Sequence, residues 1–531
     1  MPLLVTNIRW SENPTMEIAK RLGCKPSDIS ATALLKKSVD GRRRPPVWLA
    51  NYRVTLTIDE NIFIRKKIHG VRLFGERDRL RYADQKDFDF AVQWPADYRA
   101  IVVGAGPAGL FAALRLAEFG APTLLLERGG DVAQRHVDVR NFWRHRQLNP
   151  ESNVVYGEGG AGAFSDGKIY TRRRDGELGW VFKKLVEFGA DPEILKEGWA
   201  HLGTDKIRQI LPNIRNYILK NGGEIQFNSK VERLLVQNKA CVGVVLQDGT
   251  PIKGHKVIMA TGHSARDSWK IMINAGAQAI ARPIRIGARV EHPQKLIDLG
   301  RYGSPRGELP PASYRFVSHP KNPHQRSAHT FCMCPGGTVV GATNEENKIV
   351  VNGMSYSGRK AWWANSAIIV EMGLEDYASQ DPFAGVNIQD EIEKKAFILG
   401  GSNFSAPAQR IVDFLAKKPS ETLPRSSYPQ GISPANLWEL FPSSICEGIA
   451  EALLHFDKKI SGFAGEEGIL IAPETRTTAP LRFPRSKKME STTLANLLPI
   501  GEGAGYAGGI SSAALEGFRA AQILAKDHAK S

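Results

Sequence analysis

Residues 100–103 form an unbroken apolar run, Ala-Ile-Val-Val. Leu110, Ala113, Leu114 and Ala117 then recur at helical spacing, and 123–126 is a second apolar run ending at Glu127. That pattern predicts a buried strand, an amphipathic helix and a second buried strand parallel to the first. A different texture precedes it. Strands are expected over 3–10, 31–39 and 46–58, the last alternating at Tyr52, Val54, Leu56 and Ile58. Between the first two, Asn13-Pro14 starts a helix with Met16, Ile18, Ala19 and Leu22 on its apolar face, and Gly23 stops it. Residues 1–97 therefore predict a small α+β domain of ferredoxin-like type, with 85–95 leading from it toward the strand at 100–103.

Beyond Glu127 a polar helix is expected to 147, then a Gly-rich loop over 154–173, then helices over 178–222. Strands follow at 224–227, 230–236, 241–246 and 252–260, with a hairpin at Asp248-Gly249. Strand-like runs at 285–290, 314–317, 330–333 and 338–341 precede helix candidates at 388–400, 407–417 and 436–457. The last block returns to the first texture, with a short buried strand at 497–500, a turn from Gly501 to Gly509, and a helix burying Ala513, Ala514, Leu515, Phe518 and Ile523. The expected architecture is α/β: a Rossmann-like nucleotide-binding domain in two parts, 98–280 and 468–531, with an inserted α+β substrate domain at 281–467.

Glycines turn the first βαβ unit into a chemical statement. Gly104, Gly106 and Gly109 stand between strand and helix as Gly-x-Gly-x-x-Gly. The first makes the tight turn, the second lets a pyrophosphate approach the backbone, and the third lets the helix pack on the strand. The free N–H groups at the helix start favour phosphate, and Glu127 is placed to accept from an adenosine ribose. The motif alone leaves NAD and FAD open. A flavoprotein disulfide reductase would need a second strand–glycine–helix–strand unit and a Cys-x-x-Cys or comparable pair. The glycine spacing recurs at 157–162 and 503–508, but neither stretch is expected to open a second unit of that kind, and Cys-x-x-Cys is absent.

Composition narrows the setting. The 531 residues include 51 glycines and five cysteines, too few for a disulfide framework, so a reducing cytoplasm is the expected location. No apolar run reaches spanning length, and the run over 1–5 is too short for a signal peptide. The net charge is +16, and residues 1–97 carry 18 Lys/Arg against 12 Asp/Glu, so the excess is only mildly concentrated there. It suits anionic ligands, an acidic partner or RNA without choosing among them. Arg42, Arg43 and Arg44 are either an RNA or anion contact or a solvated loop. The lack of an accompanying aromatic stacking motif favours the loop.

The blocks GEGGAGAFSDGK, IRIGARVEHPQ, TFCMCPGGTVV, PETRT and GEGAGYAGGISSAALEG, with the glycine motif, resemble FAD-dependent oxidoreductases of the glutathione-reductase-like superfamily. The nearer likeness is to its single-nucleotide-domain branch, with p-hydroxybenzoate hydroxylase and the electron-transfer-flavoprotein dehydrogenases. Nearer still is a bacterial family of FAD-dependent, or NAD(FAD)-utilising, dehydrogenases. The resemblance implies that Gly104, Gly106, Pro107, Ala108 and Gly109 cradle the FAD pyrophosphate, that Glu127 holds the ribose, and that Arg128 lies beside the adenine, which Val231 meets through its backbone. Ala260, Thr261 and Gly262 match the superfamily's Ala-Thr-Gly turn. Gly501, Glu502 and Gly503 match its late Gly-Asp motif, with glutamate here in place of aspartate. Gly509, Ile510 and Ser512 would point a helix start at the flavin, and Gly162, Ala163, Ser165, Asp166 and Gly167 would lie along its ring.

Three clusters are candidates to touch substrate. Asp166 and Lys168 sit in the Gly-rich loop. Arg476 follows Glu474 and would either grip a substrate carboxylate or pair with that glutamate. Cys332 and Cys334, at Cys-x-Cys spacing, would share a strand face, for redox or soft-metal chemistry or as small buried residues. No metal site is expected. The leading expectation is an FAD oxidoreductase acting on a small organic molecule, with NAD(P)H as a transient donor. An FAD-dependent RNA-modifying enzyme and a non-catalytic electron-transfer or redox-sensing flavoprotein are the alternatives.

Overall fold

The computed structural model describes all residues except 42–44, 77, 79–87, 170–174, 197–199, 320–325, 378, 380 and 531. Arg42, Arg43 and Arg44, the start of the 85–95 lead-in and the end of the Gly-rich segment thus lie outside the described residues.

The N-terminal sheet is antiparallel, in the order Ile29–Asp40, Val47–Leu56, Leu3–Arg9, Val71–Leu73. That is the strand order of a ferredoxin-like βαββαβ unit. Asn13 accepts from the Thr15 amide at 3.3 Å to open the helix Pro14–Leu22, and Gly23 closes it in the left-handed region. Ile18, Leu22 and Phe63 cover Leu3, Val5, Tyr52 and Val54 on one face of the sheet.

The second sheet is wholly parallel: Leu497–Pro499, Lys256–Met259, Ala100–Val103, Thr123–Leu126, Glu224–Gln226. The late strand therefore lies in the same sheet as the glycine-motif strands, 370 or more residues earlier in the chain. On one face the helix Pro107–Glu118 packs against the late helix Ile510–Lys526. The two backbones nearly touch, since a Cβ on Gly517 would meet the Ala108 carbonyl at 2.0 Å. The other face carries an antiparallel ribbon, Val231–Gln237, Ala240–Leu246 and Pro251–Lys253, and the helix Arg266–Asn274. The strand expected over 252–260 is two strands. Pro251–Lys253 stays in the ribbon and Lys256–Met259 enters the parallel sheet, parted at Gly254, where a Cβ would meet Ile101 at 2.8 Å.

The third sheet has seven strands in the order Val317–Ser318, Ala328–Cys334, Trp363–Met372, Ile284–Pro293, Ile469–Glu474, Ala406–Arg410, Ile432–Pro434. The helix Ser443–Asp457 buries Ile445, Ile449, Leu453 and Phe456 against it. Three expectations change here. Trp363–Met372, the long buried strand beside Ile284–Pro293, falls where the sequence pattern predicts none. The helix expected over 407–417 is the strand Ala406–Arg410 followed by the short helix Ile411–Leu415. Ile469–Glu474 pairs with Ile284–Pro293 and Ala406–Arg410, so its apolar run is buried in this sheet and the chain returns to the parallel sheet after 474 rather than at 468.

Candidate functional site

Where the carboxyl ends of the parallel strands meet the third sheet, the chain encloses a cavity of ≈ 230 Å³. The glycine turn forms its floor. Gly104 sits at φ +102°, and a Cβ there would strike the Ala260 carbonyl at 2.7 Å, so the turn is tight against the neighbouring strand end. Gly106 precedes Pro107 as the N-cap of Pro107–Glu118, with no side chain answering the first amides. An added Cβ would find only the Cα of Gly160, at 3.8 Å, so a side chain there would stand in the cleft. The helix Ile510–Lys526 also starts without a side-chain cap, and Gly509 and Ile510 line the same cleft. Two sets of free N–H groups and two positive dipole ends thus meet at one cavity.

Glu127 is buried on the cavity wall. Its Oε2 accepts from the Ala105 amide at 2.7 Å and its Oε1 from Gly129 and Gly157, both at 2.9 Å. A carboxylate has about four acceptor sites, so capacity remains toward the cleft. Arg128 is not loose beside a ligand. It forks onto Asp267 at 3.0 and 2.8 Å, donates to Glu151 at 2.5 Å and lies 4.3 Å from the Tyr156 ring centre. Val231 lines this end, as do Ala260, Thr261 and Gly262 farther along. Pro107, Ala108, Gly162, Ser165, Asp166, Gly167, Lys168, Arg476 and Glu502 line it too.

Five residues expected on the wall stand behind it. Gly109 lies so close to the turn that a Cβ would meet the Gly104 carbonyl at 1.8 Å. Ala163 is buried, its carbonyl accepting from Thr204 at 2.5 Å. Gly501 lies against Ala108, and Gly503 against Gly262. Ser512 is engaged with its own turn, accepting from the Gly508 amide at 3.1 Å and donating to the Gly509 carbonyl at 3.0 Å.

The candidate catalytic groups prove to be mostly committed. Asp166 is buried and accepts from Ser355, with Lys168 at 3.3 Å, Arg359 at 3.5 Å and His201 at 3.7 Å. Burial opposes its charge, but Lys168 and Arg359 prevail and hold its pKa at about 2. It is a fixed anion at neutral pH and a poor proton acceptor. Burial and Arg359 push His201 down to about 4, so that ring is neutral. Lys168 also donates to the Met333 carbonyl, tying the Gly-rich loop to Ala328–Cys334.

Arg476 requires the largest correction. Its partner is not Glu474. Its guanidinium donates to Glu393 at 3.0 and 2.7 Å, to Glu345 at 3.0 Å, and to Asn344. Arg266 reaches the same carboxylates, Glu393 at 2.9 Å and Glu345 at 3.3 Å. Burial works against the Glu393 charge, and the two arginines override it and hold its pKa at about 2. Arg476 is thus a structural clamp rather than an open fork for substrate. Glu474 pairs instead with the fully buried Arg289 at 2.7 Å, and burial raises its carboxyl above the usual range despite that cation. The two cysteines do not share a face. A register shift lies between Phe331 and Cys334, and Cys332 takes φ +42°. Cys332 reaches the cleft while Cys334 is buried and donates to the Cys332 carbonyl at 3.2 Å.

Tyr156 and His263 line the cleft as well, the histidine being expected from the sequence only as an ordinary core or surface residue. Tyr156 donates to the Ser264 carbonyl at 3.0 Å and accepts from Asn344 at 2.8 Å. His263 directly follows the Ala-Thr-Gly turn, a position that could have flagged it. Its Nδ1 is 3.4 Å from Glu502, and the ring also hydrogen-bonds the Arg476 backbone. Burial disfavours the imidazolium, but Glu502 outweighs it and raises the pKa.

A parallel sheet, a glycine turn and an open helix start at the strand ends define a Rossmann-like dinucleotide-binding protein. The chain belongs to the FAD-dependent pyridine nucleotide-disulphide oxidoreductase family. The profile for "pyridine nucleotide-disulphide oxidoreductase" matches residues 98–279, and the one for "FAD-dependent protein, C-terminal domain-like" matches 283–477. An uncharacterized protein of Clostridium beijerinckii is 38% identical over 537 residues, covering 99% of this chain and 98% of its own. A 53-residue stretch is 40% identical to a 4,4'-diapophytoene desaturase of Methylomonas sp, 10% of each chain. Among solved structures, the flavin-dependent brominase Bmp2 aligns over 81% of this chain and 79% of its own, at 12% identity and a TM-score of 0.38, which carries no argument about function. Among the described residues no helix is long and apolar enough to cross a membrane.

Proposed function

We propose that the chain retains FAD in this cleft and catalyses electron or hydride transfer between the flavin and a small organic substrate, with NAD(P)H as a transient donor. The observation that carries this reading is the pair of uncapped helix starts at one cavity beside an unobstructed Gly106. The residues fit the group. The Gly106 helix start would hold the pyrophosphate, Glu127 the adenosine ribose and the Val231 backbone the adenine, while Gly162 to Lys168 and the Ile510 helix start would border the ring. FAD supplies the redox chemistry when bound.

The protein's own part is orientation and enclosure. Arg476 clamps the turn 474–477 to Asn344, Glu345 and Glu393, and Arg266 reaches Glu345 and Glu393 from the parallel-sheet side, which would seat the third sheet over the cleft. Lys168 ties the Gly-rich loop to that sheet from the other side. We read the third-sheet unit as the cover that keeps water from the reacting end. The 98–280 unit with the late segment would be the FAD-binding part, and 1–97 a separate module.

The purified protein should be yellow and release FAD on denaturation, identified by its mass. A colourless protein that takes up no added FAD overturns the reading. Flavin that stays bound yet is reduced by neither NADH, NADPH nor a panel of organic donors favours the electron-transfer alternative.

A further inference from the structure

A second pocket lies directly behind the cleft wall. It measures ≈ 40 Å³. Leu110 and Phe111 of Pro107–Glu118 face Ile207, Leu211 and Ile214 of Thr204–Lys220 across it, and every side chain lining it is apolar. Pro107, Gly162 and Ile510 line both this pocket and the cleft, so one layer of residues separates the two. A buried water needs two to four polar partners and about 10–15 Å³. The pocket has the room and lacks the partners, so a small apolar molecule is its fitting occupant and water is not.

We propose that this pocket binds dioxygen and that the protein's reduced flavin gives its electrons to dioxygen. The proposal rests on the FAD reading above. The size suits a diatomic molecule, the lining suits an uncharged one, and the shared wall sets it next to the segment expected to border the ring. The chemistry balances. Dioxygen accepts two electrons and one proton from reduced FAD and a second proton from solvent, giving hydrogen peroxide and oxidised FAD. The pocket's task is to raise the local concentration of a small apolar gas beside the segment expected to border the ring.

Xenon tests the site without reference to turnover. Crystals of the FAD-loaded protein held under xenon should show one anomalous peak among Leu110, Ile207 and Leu211, and no peak there overturns the proposal. Dithionite-reduced protein is then mixed with oxygenated buffer, and flavin reoxidation is followed at rising oxygen with hydrogen peroxide assayed. Leu211→Phe fills the pocket and should slow reoxidation several-fold with FAD content unchanged, and xenon pressure on the unaltered protein should slow it likewise. If Leu211→Phe does not fold, Ile207→Phe on the same helix and the xenon competition still decide. Unchanged reoxidation in a filled or xenon-loaded protein means a packing void only, and overturns the proposal. Loss of FAD from the unaltered protein would instead overturn the FAD reading.

Discussion

Two neighbouring helices begin in opposite ways. At the start of Val132–His145, Asp131 accepts from the Ala133 and Gln134 amides at 3.1 and 2.9 Å, and Glu158 accepts from Val132 at 2.8 Å. The chain answers that helix's first donors itself. At Pro107–Glu118 no side chain does so, and the N-cap is a glycine. A helix start left open at the wall of a cavity marks a place completed by something other than the chain. A helix start closed by two carboxylates is a matter of stability.

Breaking the open start should have the largest effect. Gly106→Leu should abolish FAD retention, read from the absorbance of the purified protein, while circular dichroism and the melting temperature of the apoprotein stay near wild type. Normal FAD content would mean that the phosphates lie elsewhere. Next comes the Arg476 clamp, closed by the chain just as the Asp131 start is. Breaking a buried pair typically costs about 3–5 kcal/mol, and because Arg266 still faces Glu393 the lower end is expected for Arg476→Ala in urea unfolding. An unchanged unfolding midpoint together with altered substrate kinetics would restore Arg476 as a substrate-binding residue.

The closed helix start sharpens the contrast from the other side. Asp131→Ala should cost about 1 kcal/mol, the usual worth of an N-cap, and leave the FAD dissociation constant where it was. The smallest expected effect concerns His263. Glu502 and the Arg476 backbone raise its folded pKa against burial. Its contribution to stability is therefore fully present below the ordinary histidine value of about 6.5 and is lost as pH rises through the higher folded value. His263→Gln should flatten the melting temperature across that window, and an unchanged slope would mean that the imidazole is not coupled to Glu502.

The sequence made the parallel βαβ unit legible because glycines and unbroken apolar runs are local signals. Gly104, Gly106 and Glu127 lie within 24 residues and state their geometry there. The late strand Leu497–Pro499 was legible for the same reason. What the sequence hid was partner choice. Arg476 meets Glu393 from 83 residues away, and Arg289 meets Glu474 from 185. Opposite charges two residues apart at 474 and 476 suggested a pair, but Glu474 ends the strand Ile469–Glu474 against Arg289, and Arg476, beyond the strand end, turns to Glu393. Trp363–Met372 was hidden because both its faces are covered, so no polar alternation marked it. The cysteine reading failed because nothing in HTFCMC reveals the register shift that turns Cys332 away from Cys334.

Arg135 has a consequence for the rate at which the cofactor arrives. Its guanidinium, wholly enclosed, donates to the carbonyls of Asn153, Val154, Gly157 and Glu158 and so braces the approach to the Gly-rich loop through the chain's own groups. A wall braced in this way has little ordering entropy left to lose on association. Loading should then follow a single concentration-dependent phase set by encounter, where a loop that folded around its ligand would impose a ceiling independent of concentration.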